Sequence, residues 1–205
     1  MNDPIKVFYG SSYDRGLEHL LKIWPDVVKA VPDAELHVFY GWDLFARFYG
    51  DNPERMAWKD RIDKMMTHKG VTHHGRVSQP QIVKEMKKCG VWAYPTHFGE
   101  ISCINAMKAQ ACGCIPVVIN YAALETTVQF GVKINGDIYD KETQEAFKEE
   151  LIDMLQAKTK QDMIREKMVP WAKEYFKWAH VAKQWSDEFK GLPVDSLIPD
   201  ANKQS

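Results

Sequence analysis

A chain of 205 residues that is 45% hydrophobic can bury a core of its own without disulfide or metal staples. Its 27 Lys and Arg stand against 28 Asp and Glu, a near-neutral balance that argues against a general nucleic-acid or membrane-surface binder. No apolar run is long enough to cross a bilayer, and residues 1–4 carry neither the charged nor the apolar region of a secretory signal.

The elements follow in chain order. Residues 5–9, IKVFY, predict a short buried strand, and Gly10-Ser11-Ser12 a turn. Leu17, Leu20, Leu21, Trp24, Val27, Val28 and Val31 recur at steps of three and four, which predicts an amphipathic helix with a kink at Pro25. Residues 35–40, ELHVFY, give a second strand. Pro53 opens a helix expected to run to Lys69, with Gly70 as its stop. Residues 71–74 give a third strand. Ser78 and Gln81 have capping-box spacing ahead of a helix that ends near Cys89-Gly90. Residues 91–94, VWAY, are a fourth strand. A loop, a helix over about 102–111 and the terminator Gly113 lead to a fifth strand at 115–119. Further helices are expected over 143–157 and about 171–190. The latter carries Trp171, Tyr175, Trp178, Ala182, Trp185 and Phe189 at helical spacing, a pattern that suits a core stripe. Residues 192–205 read as a poorly ordered tail.

Strands alternating with helices predict an α/β, Rossmann-like parallel sheet with helices on both faces. Ligands of such sheets bind beyond the carboxyl ends of the strands. Three loops are expected there: residues 10–16, 75–78 and 97–100. In the first, Gly10 permits close backbone approach, and Arg15 with Gly16 opens a helix whose N-terminus carries partial positive charge. That combination suits a phosphate, though Arg15 in a solvated turn is the plainer alternative. In the third, the amides of Ile101, Ser102 and Cys103 are expected to start a helix and to hold a phosphate. Glu100 is then either a helix cap or an acceptor for ligand hydroxyls. A phosphate on the helix and hydroxyls on the carboxylate describe a sugar phosphate.

The four cysteines are Cys89, Cys103, Cys112 and Cys114. Three lie in or beside apolar segments and read as small buried hydrophobes in a reducing, cytoplasmic setting. Cys112 and Cys114 with His73 and His74 do not have the usual zinc-knuckle spacing, so no metal site is expected.

The order of these signals resembles the C-terminal domain of a GT-B glycosyltransferase of retaining family 4. The resemblance rests on the glycine loop after the first strand, the Gly75-Arg76-Val77-Ser78 turn and the Pro95-Thr96 step. It rests also on Glu100 leading into AQACGCIPVV, and on Phe176, Trp178, Ala182 and Trp185 near the end. It implies a donor domain over residues 1–191, with a crossing helix at about 171–190, that binds a nucleotide-diphosphate sugar as substrate and needs no cofactor. It implies that Glu100 meets the donor sugar's hydroxyls and that His97 and Phe98, flanking Gly99, line the sugar pocket. The backbone of Ile101, Ser102 and Cys103, together with Arg15, would hold the diphosphate, and Arg76 and Val77 would hold the base. Two positions depart from the family pattern: Ser11 replaces an arginine, and Lys108 replaces the second glutamate of the E-x7-E motif, where a carboxylate would accept bonds from the ribose diol. No D-x-D motif occurs, which agrees with metal-independent transfer. The resemblance also implies a saccharide or glycoconjugate acceptor held by an N-terminal GT-B domain, in cis or in trans. A noncatalytic nucleotide-binding or regulatory module on the same fold is the alternative. A Rossmann oxidoreductase is disfavoured by the lack of G-x-G-x-x-G.

Overall fold

The computed structural model describes residues 2–193. Six strands form one parallel sheet: β1 (Asp3–Tyr9), β2 (Glu35–Phe39), β3 (Val71–Gly75), β4 (Cys89–Tyr94), β5 (Ile115–Ile119) and β6 (Val132–Ile134). Their spatial order is β3-β2-β1-β4-β5-β6, with every neighbouring pair parallel. The chain grows outward from β1 to one edge and then restarts at β4 towards the other. The boundary between β1 and β4 is therefore the topological switch point, where the loops after these strands diverge and leave a crevice.

The helices are α1 (Leu17–Ala30), α2 (Asp43–Tyr49), α3 (Pro53–Met65), α4 (Gln79–Met86), α5 (Ile104–Cys112), α6 (Ala123–Thr127), α7 (Lys141–Gln156), α8 (Lys158–Tyr175) and α9 (Trp178–Phe189). Right-handed crossovers send the helices that follow the two growth directions to opposite faces. Accordingly α1 packs on α3 and α7, while α5 packs on α4 and α8. Covered on both sides, β4 and β5 are buried at every residue, which is why they read as unbroken apolar runs. Edge strand β3 has its three central residues exposed. The apolar stripe of α1 does bury Leu17, Leu20, Leu21, Trp24 and Val27. This helix continues through Pro25 without a break.

The expected α/β architecture is present, with differences at the margins. α3 stops at Met65, and a turn carries the chain to Gly70 at φ +80°. α5 begins at Ile104, not near Ser102. Only half of the capping box forms: Ser78 Oγ accepts from the Gln81 amide, but the Gln81 side chain donates to Glu85 at 2.6 Å. α2, α6 and β6 were not expected. α2 is a short helix that buries no residue, although Leu44 and Phe48, and Phe45 and Tyr49, stand one turn apart on it, and α6 and β6 are too short to show a period. The single last helix is instead two, α8 and α9, parted where Lys177 is extended (ψ 142°). The core stripe is not buried as expected: Trp171 and Tyr175 on α8 are only half-buried, no residue of α9 is buried, and Trp178 is 85% exposed. Of the expected tail, residues 194–205 lie outside the described residues.

Candidate functional site

The site is built around one close backbone approach. Gly16 sits at φ +111°, and a Cβ there would come within 2.3 Å of the Pro95 carbonyl oxygen. Only glycine lets the loop after β1 press against the end of β4. Asn105, in the first turn of α5, holds the same loop by donating from Nδ2 to the Gly10 carbonyl at 2.7 Å.

This approach sets Arg15 beside the loop after β4. Its guanidinium lies 3.8 Å from the centre of the Phe98 ring, a cation–π contact. Its NH1 is 3.4 Å from Glu100 Oε1. The same oxygen accepts a 2.8 Å hydrogen bond from the Tyr94 hydroxyl. The Tyr94 oxygen is in turn 3.2 Å from the Ser11 hydroxyl. Desolvation raises the Tyr94 phenol well above its ordinary range, so it stays protonated and donates. Glu100 is thus no helix cap: the residue before α5 is Cys103, and the carboxylate points to Tyr94 and Arg15 instead. Burial pushes the Cys103 thiol up to about 11, which leaves it neutral.

Beside this pair lies a cleft of about 470 Å³ at the carboxyl ends of β1, β2 and β3. Gly10, Tyr40, Arg76, Val77, Gln79 and Asn105 are among its lining residues. Lys108, on α5, donates to Gln79 Oε1 at 2.6 Å. This wall of the cleft therefore carries an amide backed by an ammonium, not a carboxylate.

The structure thus gathers Gly10, Ser11, Arg15, Gly16, Phe98 and Glu100 at the switch point, with Arg76, Val77 and Lys108 around the adjoining cleft. His97 goes elsewhere. Its ring packs against His19 and Tyr139, with centroids 5.8 Å and 5.0 Å away, and it lines a second cavity of about 410 Å³ with Thr96, Tyr121 and Asp137. Gly99 faces the Tyr121 ring, which would stand 3.9 Å from a Cβ at that position, and Glu100 O accepts from the Ala123 amide at 3.1 Å. Ile101 is 98% exposed and, with Ser102, precedes the helix; the first-turn amides of α5 belong to Ile104 onward. The sequence reading missed Tyr94 and Gln79. Tyr94 looks like one more apolar residue of a buried strand, and Gln79 acquires meaning only through its contact with Lys108. Cys112 ends α5 and Cys114 directly precedes β5, far across the sheet from His73 and His74 on β3. Among the described residues no group of three His, Cys, Asp or Glu could hold a metal ion.

The family model for glycosyl transferases group 1 matches residues 2–169. The chain belongs to that family. Solved glycosyltransferase structures share its fold. The pneumococcal O-GlcNAc transferase GtfA, solved with UDP and GlcNAc, superposes with a TM-score of 0.70 at 14% identity, over 93% of this chain and 36% of that one. Anabaena Alr3699/HepE with UDP gives 0.69 at 16% identity, over 93% and 50%. The catalytic domain of the Helicobacter pylori cholesterol-α-glucosyltransferase gives 0.57 at 16%, over 84% and 99%. No curated protein matches by sequence. This group 1 glycosyltransferase chain spans about a third of GtfA and half of HepE, and its fold is that of one GT-B half. Among its described residues no helix is long and apolar enough to cross a membrane.

Proposed function

We propose that the chain is the donor-binding half of a retaining, metal-independent glycosyltransferase. The observation that carries this reading is the meeting of Arg15, Phe98 and Glu100 at the switch point, beside the 470 Å³ cleft. Arg15 supplies the cation for a diphosphate, and Glu100 supplies an acceptor for sugar hydroxyls. The cleft edged by Arg76 and Val77 takes the base. The UDP bound to GtfA and to HepE supports a nucleotide sugar as donor. An N-terminal domain, in cis or in trans, would hold the saccharide acceptor, because transfer needs both reactants fixed in one geometry.

A thermal-shift panel of UDP, GDP, ADP, their sugars and NAD tests the reading. A ligand at a hundred times its dissociation constant should add about 2.7 kcal/mol of stability. A shift with one nucleotide diphosphate and its sugar, and none with NAD, is the expected result. No shift with any nucleotide sugar, or a shift with NAD alone, would overturn it.

A further inference from the structure

We infer that Tyr94 is a positioning residue that selects which oxygen of Glu100 meets the ligand; the inference rests on the donor-site reading above. Glu100 Oε1 takes both protein contacts, the Tyr94 hydroxyl at 2.8 Å and Arg15 NH1 at 3.4 Å. Among the described residues Oε2 makes no hydrogen bond. A carboxylate oxygen has two acceptor positions, and a free one on a partly buried group is ready for a ligand hydroxyl.

The direction of the bonds follows from counting protons. The Tyr94 hydroxyl has one proton and gives it to the carboxylate, which has none to give. The Ser11 hydroxyl, 3.2 Å away, must then be the donor to the Tyr94 oxygen. The relay runs from Ser11 on the loop after β1, through the end of β4, to Glu100 on the loop after β4. It couples the loop that carries Arg15 to the orientation of the carboxylate. Tyr94 is itself immobile: it is 1% exposed, and its ring stacks on Trp92 at 5.1 Å and tilts against Tyr9 at 6.1 Å. A rigid ring with its hydroxyl on one oxygen prevents the carboxylate from rotating and offers the ligand a single acceptor. By this geometry Tyr94 touches no ligand and acts only through Glu100.

The test is calorimetry of the full chain with UDP and UDP-glucose, for wild type, Tyr94→Phe, Ser11→Ala and Glu100→Gln, each with its melting temperature. Phenylalanine keeps the ring packing, so Tyr94→Phe should fold. It should weaken UDP-glucose by about tenfold while UDP stays within about twofold. Ser11→Ala, which leaves the Tyr94 bond to Glu100 in place, should weaken UDP-glucose less than Tyr94→Phe does. If Glu100→Gln changes the ratio of the two affinities and Tyr94→Phe does not, Tyr94 is not a positioning residue and the donor-site reading stands. Equal weakening of both ligands by Tyr94→Phe makes the residue merely structural and also overturns the inference. If Glu100→Gln leaves the ratio unchanged, or if wild type binds none of the nucleotide sugars of the thermal-shift panel, the donor-site reading itself fails and this inference falls with it.

Discussion

Arg15 and His19 stand four residues apart on the same loop and helix, and the fold asks opposite things of them. Arg15 is about one-third exposed and leans on Phe98, so its pairing with Glu100 contributes little to stability. Its charge is available to a ligand. Arg15→Ala should therefore weaken nucleotide-diphosphate binding by about 1.5–3 kcal/mol and leave the melting temperature nearly unchanged. Equal affinities in calorimetry would remove Arg15 from the site. His19 is 7% exposed, packed among Lys22, His97, Glu18 and Asp137, and its Nδ1 has no partner. Burial first, then Lys22 and His97, lowers its pKa from 6.5 to about 4. In the window between these values the unfolded chain binds the proton and the folded chain does not, so stability falls with falling pH. The contribution is fully present above pH 6.5 and is lost as the pH drops to about 4. Wild type should lose melting temperature across that window more steeply than His19→Phe. Parallel curves for the two proteins would show that His19 is not the group responsible. The sequence reading did not single out His19, because the residues that make its environment, Tyr139 and His97, reach it from positions far along the chain.

Whole elements were legible where burial imposes a period. β1, β4 and β5 could be read as strands because both faces are covered, and α1 because one stripe of it is buried. α9 carries an aromatic stripe and α2 has Phe45 and Tyr49 one turn apart, yet neither helix buries a residue, so their apolar spacing does not tell what they pack against. The site was legible as three loops at one sheet edge. Which side chains turn towards each other there was not, since that depends on how closely the loop after β1 approaches β4. Gly16 sets that distance. Gly16→Ala would place a methyl group 2.3 Å from the Pro95 carbonyl oxygen at a backbone angle that L residues rarely adopt. Strain of this kind costs about 1–3 kcal/mol for the angle alone, and the clash adds to it. The variant should melt several degrees lower, by about 4 °C or more for a domain of this size. It should also bind UDP more weakly, because Arg15 moves with the loop. A variant with unchanged melting temperature and unchanged affinity would mean that the loop does not depend on this contact.

At the scale of the molecule, charge neutralisation and completeness can be separated. Asn105 in the first turn of α5 bonds the loop that carries Arg15, so on the proposed reading the donor's diphosphate would meet protein cation and helix dipole together. On that reading EDTA should leave UDP affinity in calorimetry unchanged, and magnesium or manganese should not raise it. A strict metal requirement would assign the anion to a different chemistry. In the proposed function, donor binding is one half of the task. The crevice opens at the carboxyl edge of the sheet, and the exposed aromatic face of α9, with Trp178, Trp185 and Phe189, takes no part in the core of this half. Replacing Trp178 and Trp185 by serine together should therefore leave the melting temperature and the UDP affinity of the 205-residue chain close to wild type. A fall of several degrees would show that α9 is integral to this half, and its aromatic face would then belong to this core and not to a surface for another domain.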